Sequence, residues 1–231
     1  MEKEYSMTAE RSLEIITEQI ERSRRTVSKS IGQSLYVAGL CTMGMAVVVT
    51  IVNLLILTLG YSPIGYLLWF ALPVIIWAAL RNIHKQSDSA SMSLIGTLVG
   101  KTWWTFAVLV LGFFLLANIW NKILALSSIS PMAYIAHHVS ILPIIILLMG
   151  MAVSVTGHIL KSKWLVWFGI IASLMVAIGH YAGLGTMILA RLGASPMMVS
   201  RAEVVFPCLS VFFFALIGLI LPGIMLKKER L

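Results

Sequence analysis

Charge is what this chain lacks. Only 11% of its 231 residues are Asp, Glu, Lys or Arg, while 59% are hydrophobic and the mean hydropathy is +0.96. A soluble domain of this length is about a quarter charged, so these few charges cannot cover a water-facing surface. Cysteine is scarce too. Cys41 and Cys208 both fall inside apolar runs, read as buried free thiols, and two cysteines build no disulfide framework. Asp and Glu are missing from the middle of every long apolar run, which removes the acidic group that proton- or cation-coupled transporters commonly use. No glycine-rich phosphate loop, HExxH, GxSxG or CxxC occurs, so enzyme signatures are absent and a non-enzymatic role is favoured over an enzymatic one. Residues 1–30 carry both signs of charge and no apolar core, unlike a secretory signal peptide. The first apolar run is therefore expected to act as the uncleaved insertion signal.

What is present is a series of apolar runs. The run Leu35 to Leu59 carries no charge, and Asn53 is its most polar member. A helix rising 1.5 Å per residue crosses roughly 30 Å of hydrocarbon with about 20 residues. Continuous runs specify helices, whereas barrel strands would alternate over about 10 residues. The expected fold is all-α: a polytopic membrane protein with six transmembrane helices in one bundle, at about 35–59, 63–80, 102–120, 139–160, 164–184 and 202–226. Pro73 should kink the second span. Trp103, Trp104 and Trp120 mark the two interfaces of the third, and Gly96 with Gly100 makes a GxxxG spacing ahead of it. The short hinge Lys161-Ser162-Lys163 forces spans four and five into an antiparallel hairpin. Residues 185–200 read as a longer loop with an interfacial helix. Pro222-Gly223 reads as a terminator of the last span.

Residues 1–34 form a separate polar segment, distinct from the membrane domain 35–231. Leu13, Ile16, Ile20, Val27 and Ile31 recur close to helical turns and give one apolar stripe. Glu18 with Arg22 and Glu21 with Arg25 stand in the favourable order, about 0.2–0.5 kcal/mol each. This is the pattern of an amphipathic helix that lies on the cytoplasmic membrane face, meets a partner helix, or docks on its own bundle.

Orientation follows from the basic residues. With six spans and the N-terminus inside, the cytoplasmic segments hold six Lys and Arg in the leading segment, three at Arg81, Lys85 and Lys101, two at the hinge, and three at Lys227, Lys228 and Arg230. Only Lys122, Arg191 and Arg201, of all 17, fall outside. This asymmetry places both termini of a multi-pass protein in the cytoplasm. It also accounts for the net charge of +8 without nucleic acid, which is not expected as a partner.

Three stretches carry a resemblance. Ser12-Leu13-Glu14-Ile15-Ile16 precedes the first span, Gly157-His158-Ile159-Leu160-Lys161 joins spans four and five, and Leu219 through Lys227 (LILPGIMLK) ends the last. Together they resemble a group of small bacterial six-span integral membrane proteins with an amphipathic N-terminal helix and no assigned activity. The resemblance covers most of the chain and transfers no catalytic residue.

The residues that could carry chemistry are few. His137, His138, His180 and Glu203 fall toward the outer face, and imidazoles with a carboxylate suit a metal such as Zn²⁺ if three or four converge. Adjacent His137 and His138 diverge by about 100° on a helix, which works against a shared ion. No other cofactor is implied. A polar path through Thr50, Asn53, Ser154 and Thr156 is what a transporter would use, although such groups usually bond a neighbouring helix. The leading expectation is a non-enzymatic membrane protein whose N-terminal helix serves assembly or interaction, through a second copy or a partner helix at residues 8–31. The alternatives are a small oligomeric transporter or channel, and a metal-dependent membrane enzyme using the outer histidines and Glu203.

Overall fold

The computed structural model describes residues 2–60, 64–84, 94–127 and 141–228. Among the described residues the chain is 94% helical with no strands. Six helical stretches are long and apolar enough to cross a membrane.

The first helix, α1, runs unbroken from Glu2 to Thr58. No proline or glycine pair interrupts the passage from the charged segment into the apolar run. Ser34 is absorbed into the helix by donating its hydroxyl to the Ser30 carbonyl at 3.0 Å. At 1.5 Å per residue α1 is about 85 Å long, far more than a bilayer's hydrocarbon core. Gly60, with φ 80, ends it.

The second span starts as a 3-10 helix, Ile64–Ala71, and continues as α2, Leu72–His84. Pro73 was expected to kink a continuous helix at its middle. It sits instead in the first turn of α2, where its missing N–H costs little. Arg81 stacks over the Trp77 ring at 5.3 Å, fixing a basic group near the end of α2. The third helix, α3, spans Leu94–Leu126 and takes in the moderately apolar lead-in as well as residues 102–120. A Cβ at Gly100 would meet nothing within 4 Å, so the GxxxG spacing makes no close helix contact at that glycine.

Helices α4, Ile141–Leu160, and α5, Lys163–Tyr181, form the expected antiparallel hairpin. Lys161 turns the chain in the left-handed region at φ 56, and the Ser162 N–H reaches back to the Gly157 carbonyl at 2.9 Å. Small residues let the two backbones close. Gly150 faces Ser173, Ser154 faces Gly169, and Gly157 faces Val166. The short helix α6, Leu184–Arg191, lies at the start of the segment 185–200, which reads in sequence as a longer loop.

The last span begins earlier than 202. Ser195 accepts the Met198 N–H and Pro196 takes the first turn, a standard helix start, so α7 runs Pro196–Phe214. A π-helical turn, Ala215–Ile220, then leads into α8, Leu221–Lys228. Pro222-Gly223 is therefore no terminator. Pro222 cannot donate to the ladder, which widens just before it so that the Leu221 N–H bonds Leu216 five residues back. Gly223 then serves contact: a Cβ there would lie 2.8 Å from the Gly32 carbonyl oxygen of α1.

The core joins α1, α4, α5, α7 and α8 around Leu35, Val153, Leu165, Ala172, Phe214, Leu219 and Leu226. The second and third spans are peripheral. Buried residues make up 6% and 11% of their apolar windows, against 44% in α4. Phe70 and Phe114 meet edge to face at 5.3 Å and link these two outer elements. The Gly32–Gly223 contact fixes the exit of α1 beside the end of α8, and the 3-10 helix lies at the opposite end of the bundle.

Candidate functional site

The proposed metal ligands divide. His137 and His138 lie outside the described residues. His180, near the end of α5, has its Nδ1 3.3 Å from the Ser210 hydroxyl on α7. Glu203 is exposed two turns earlier on α7 and forms no ion pair with Arg201 or Arg191. Among the described residues no three of His, Cys, Asp and Glu come together.

The four polar-path residues also separate into two places. Ser154 and Thr156 are buried in the α4–α5 hairpin, and both hydroxyls are used. Ser154 donates to Gly150 at 2.8 Å, with the Val166 carbonyl at 3.1 Å, and Thr156 donates to Ala152 at 2.8 Å. Each closes a helical turn, which lets a hydroxyl sit in an apolar interface without an unmet bond.

Thr50 and Asn53 belong to a second cluster near the other end of α1. They lie one turn apart on the same face, toward the 3-10 helix and α7. Thr50 donates to Ala46 at 2.7 Å, and the Cys208 thiol lies against its hydroxyl. Tyr66 donates its phenol to the Val204 carbonyl at 2.8 Å, which ties the second span to the last. Ala46, Val49, Trp69 and Phe212 close the cluster with apolar surface.

Asn53 is the anomaly. It is 0% exposed, and among the described residues neither its carboxamide oxygen nor its nitrogen has a hydrogen-bond partner. Gly65 presses its backbone against that amide, and a Cβ at position 65 would overlap the Asn53 oxygen. An unmet buried amide costs about 1–3 kcal/mol, so most proteins avoid one. Chemically the cluster offers a donor–acceptor pair, a phenol, a hydroxyl and a thiol. Among the described residues that form it, none is a carboxylate or an imidazole.

Sequence reasoning singled out Thr50 and Asn53 but missed Gly65, Tyr66 and Val204. The one available signal was a glycine–tyrosine pair soon after Pro63, where a tight start to the second span could approach another helix closely.

The other unsatisfied surface lies at the opposite end. From Arg11 to Ile20 every residue of α1 is exposed, and Leu13, Ile16 and Ile20 are 64%, 52% and 49% accessible. Farther along the same stripe, Val27 and Ile31 pack on the core, and Ser28, Gly32 and Leu35 are buried. Gly32 is the point of closest approach to α8, which ends at Lys228. The stripe thus runs past the end of α8.

A scan against family models matches none, and comparison with curated proteins and solved structures gives no significant similarity. The site must be judged on its own chemistry.

Proposed function

We propose that the chain is a membrane-embedded assembly protein, a six-span bundle that presents an N-terminal helical arm as an interaction surface. One observation carries this reading. Leu13, Ile16 and Ile20 continue the stripe that buries Val27 and Ile31, yet stand 64%, 52% and 49% exposed. Burying three such side chains is worth about 1.5–3 kcal/mol each, so the stripe has a strong drive to be covered.

The charge asymmetry puts the arm in the cytoplasm, together with the C-terminal end of α8 beside which it emerges. The resemblance to small bacterial six-span proteins supports a bundle in a bacterial cytoplasmic membrane. The apolar core between α1, α4, α5, α7 and α8 supports a structural rather than a transporting bundle.

The test is a photo-cross-linking side chain at position 16 of the full-length chain in native membranes. Adducts to protein are expected. Adducts to lipid alone, or none, would remove the interaction role. One observation favours a second reading, a small oligomeric transporter: the unpartnered Asn53 amide within a span. That reading requires solute flux in proteoliposomes that is lost in Asn53→Leu.

A further inference from the structure

We propose that the arm's partner is a second copy of this chain, joined to it through a parallel coil over residues 12–26. The inference rests on the reading of the arm as an interaction surface and names its occupant.

The direction of α1 narrows the choices. The helix is unbroken from Glu2 to Thr58, so an arm continuous with a crossing helix leaves the bilayer along that helix's axis. An interfacial helix would have to turn into the membrane plane, which needs a proline, a glycine pair or a π turn, and α1 has none of these at the passage. Residues 11–26 of the arm carry Glu14, Glu18 and Glu21 against Arg11, Arg22, Arg24 and Arg25, a near balance that gives anionic lipid headgroups little net charge to attract. A lipid surface is thus a poor cover for the stripe.

The register favours another copy. Leu13, Ile16 and Ile20 alternate spacings of three and four, and Val27 follows one heptad after Ile20. With Leu13, Ile20 and Val27 at a positions and Ile16 at d, nearly every charge falls away from the seam. Glu14 and Glu21 are at b, Arg22 at c, and Arg11, Glu18 and Arg25 at f. The flanking g positions hold Ser12, Gln19 and Thr26, all uncharged. Thr17 and Arg24 are at e, and Arg24 is already paired with Glu21 of its own helix at 2.7 Å. Identical arms side by side therefore meet no like-charge pair across g and e.

Geometry sets the same orientation. Copies inserted alike in one bilayer project their arms on one side and in one direction, so self-pairing is parallel. About two heptads of free seam would be marginal for peptides in water. Confinement in a shared membrane raises their effective concentration and lets so short a coil form.

Single cysteines in the full-length chain test this, with Cys41→Ala and Cys208→Ala removing the native thiols. In native membranes under mild oxidation, Ile16→Cys and Ile20→Cys should form disulfide-linked pairs at least about fivefold more than Glu14→Cys and Glu18→Cys, since only a and d positions of parallel strands face their own copies. Equal yields at all four sites, or none at 16 and 20, overturn the proposal. A measurement independent of cysteine is the light-scattering mass of the native chain in detergent. It should report two or more copies, falling to one in an Ile16→Glu, Ile20→Glu double variant whose changes lie outside the core. A native mass of one copy overturns the proposal. If position 16 photo-cross-links to a different protein while no self-disulfides form, this inference fails and the interaction role of the arm survives.

Discussion

Replacing Asn53 by Leu should stabilise the protein, an unusual expectation for a fully buried position. The change keeps the forked side-chain shape and removes two polar atoms that have no partner among the described residues. Asn53 lies five residues before the end of α1 at Thr58, about 7.5 Å along the axis. When the helices separate, the amide is close enough to the interface to meet water, and folding then buries it dry. An unmet buried amide costs about 1–3 kcal/mol in protein mutational data, and an apolar group of the same shape removes that cost. The gain is therefore about 1–3 kcal/mol, a shift of roughly 5- to 150-fold in the folded-to-unfolded ratio at tenfold per 1.4 kcal/mol. Equilibrium unfolding in mixed micelles with increasing denaturing detergent reads this directly, with helicity as the signal. A loss of stability of similar size would refute the reasoning, because it would mean that the amide is hydrogen-bonded in the folded protein.

Gly169→Ala should destabilise the α4–α5 hairpin by about 1–3 kcal/mol. Its Cβ would sit 2.7 Å from the Gly150 carbonyl oxygen and 2.9 Å from the Ser154 nitrogen, backbone atoms that no rotamer change can move. Gly112→Ala, where a Cβ meets nothing within 4 Å, is the control and should be neutral or gain up to about 1 kcal/mol from helix propensity. Thermal unfolding in detergent distinguishes the two, and equal effects would contradict the close packing. Tyr66→Phe removes the 2.8 Å bond to Val204 and should cost about 0.5–1.5 kcal/mol in the same assay. An unchanged midpoint would mean that this tie contributes nothing to holding the second span on the last.

The sequence by itself determined the all-helical class and the six apolar stretches, because a chain with 11% charge must satisfy its backbone internally in a medium without water. It also located the α4–α5 hairpin, since a three-residue hinge leaves no other path. Local pattern failed where a residue's role depends on its neighbour. Pro222-Gly223 has the composition of a helix end, yet the contact of Gly223 with Gly32 and the widened turn before it carry the helix through. At residue 34 the polarity changes but the backbone hydrogen-bond ladder does not, and α1 joins the polar segment to the apolar run as one helix.

The candidate site was half visible. Asn53 stands out in any apolar run, but Gly65 and Tyr66 became relevant only when the 3-10 helix laid them against α1 and α7. Ser154 and Thr156 looked equivalent to Asn53 in composition. Their short hydroxyls can reach the carbonyl one turn back in the same helix, whereas the Asn53 amide, blocked by Gly65, remains unmet. Hydropathy and periodicity are properties of a segment and can be read along the chain. Whether a polar atom finds a partner, or an apolar stripe finds cover, depends on which surfaces meet, and here only the tertiary structure decided both.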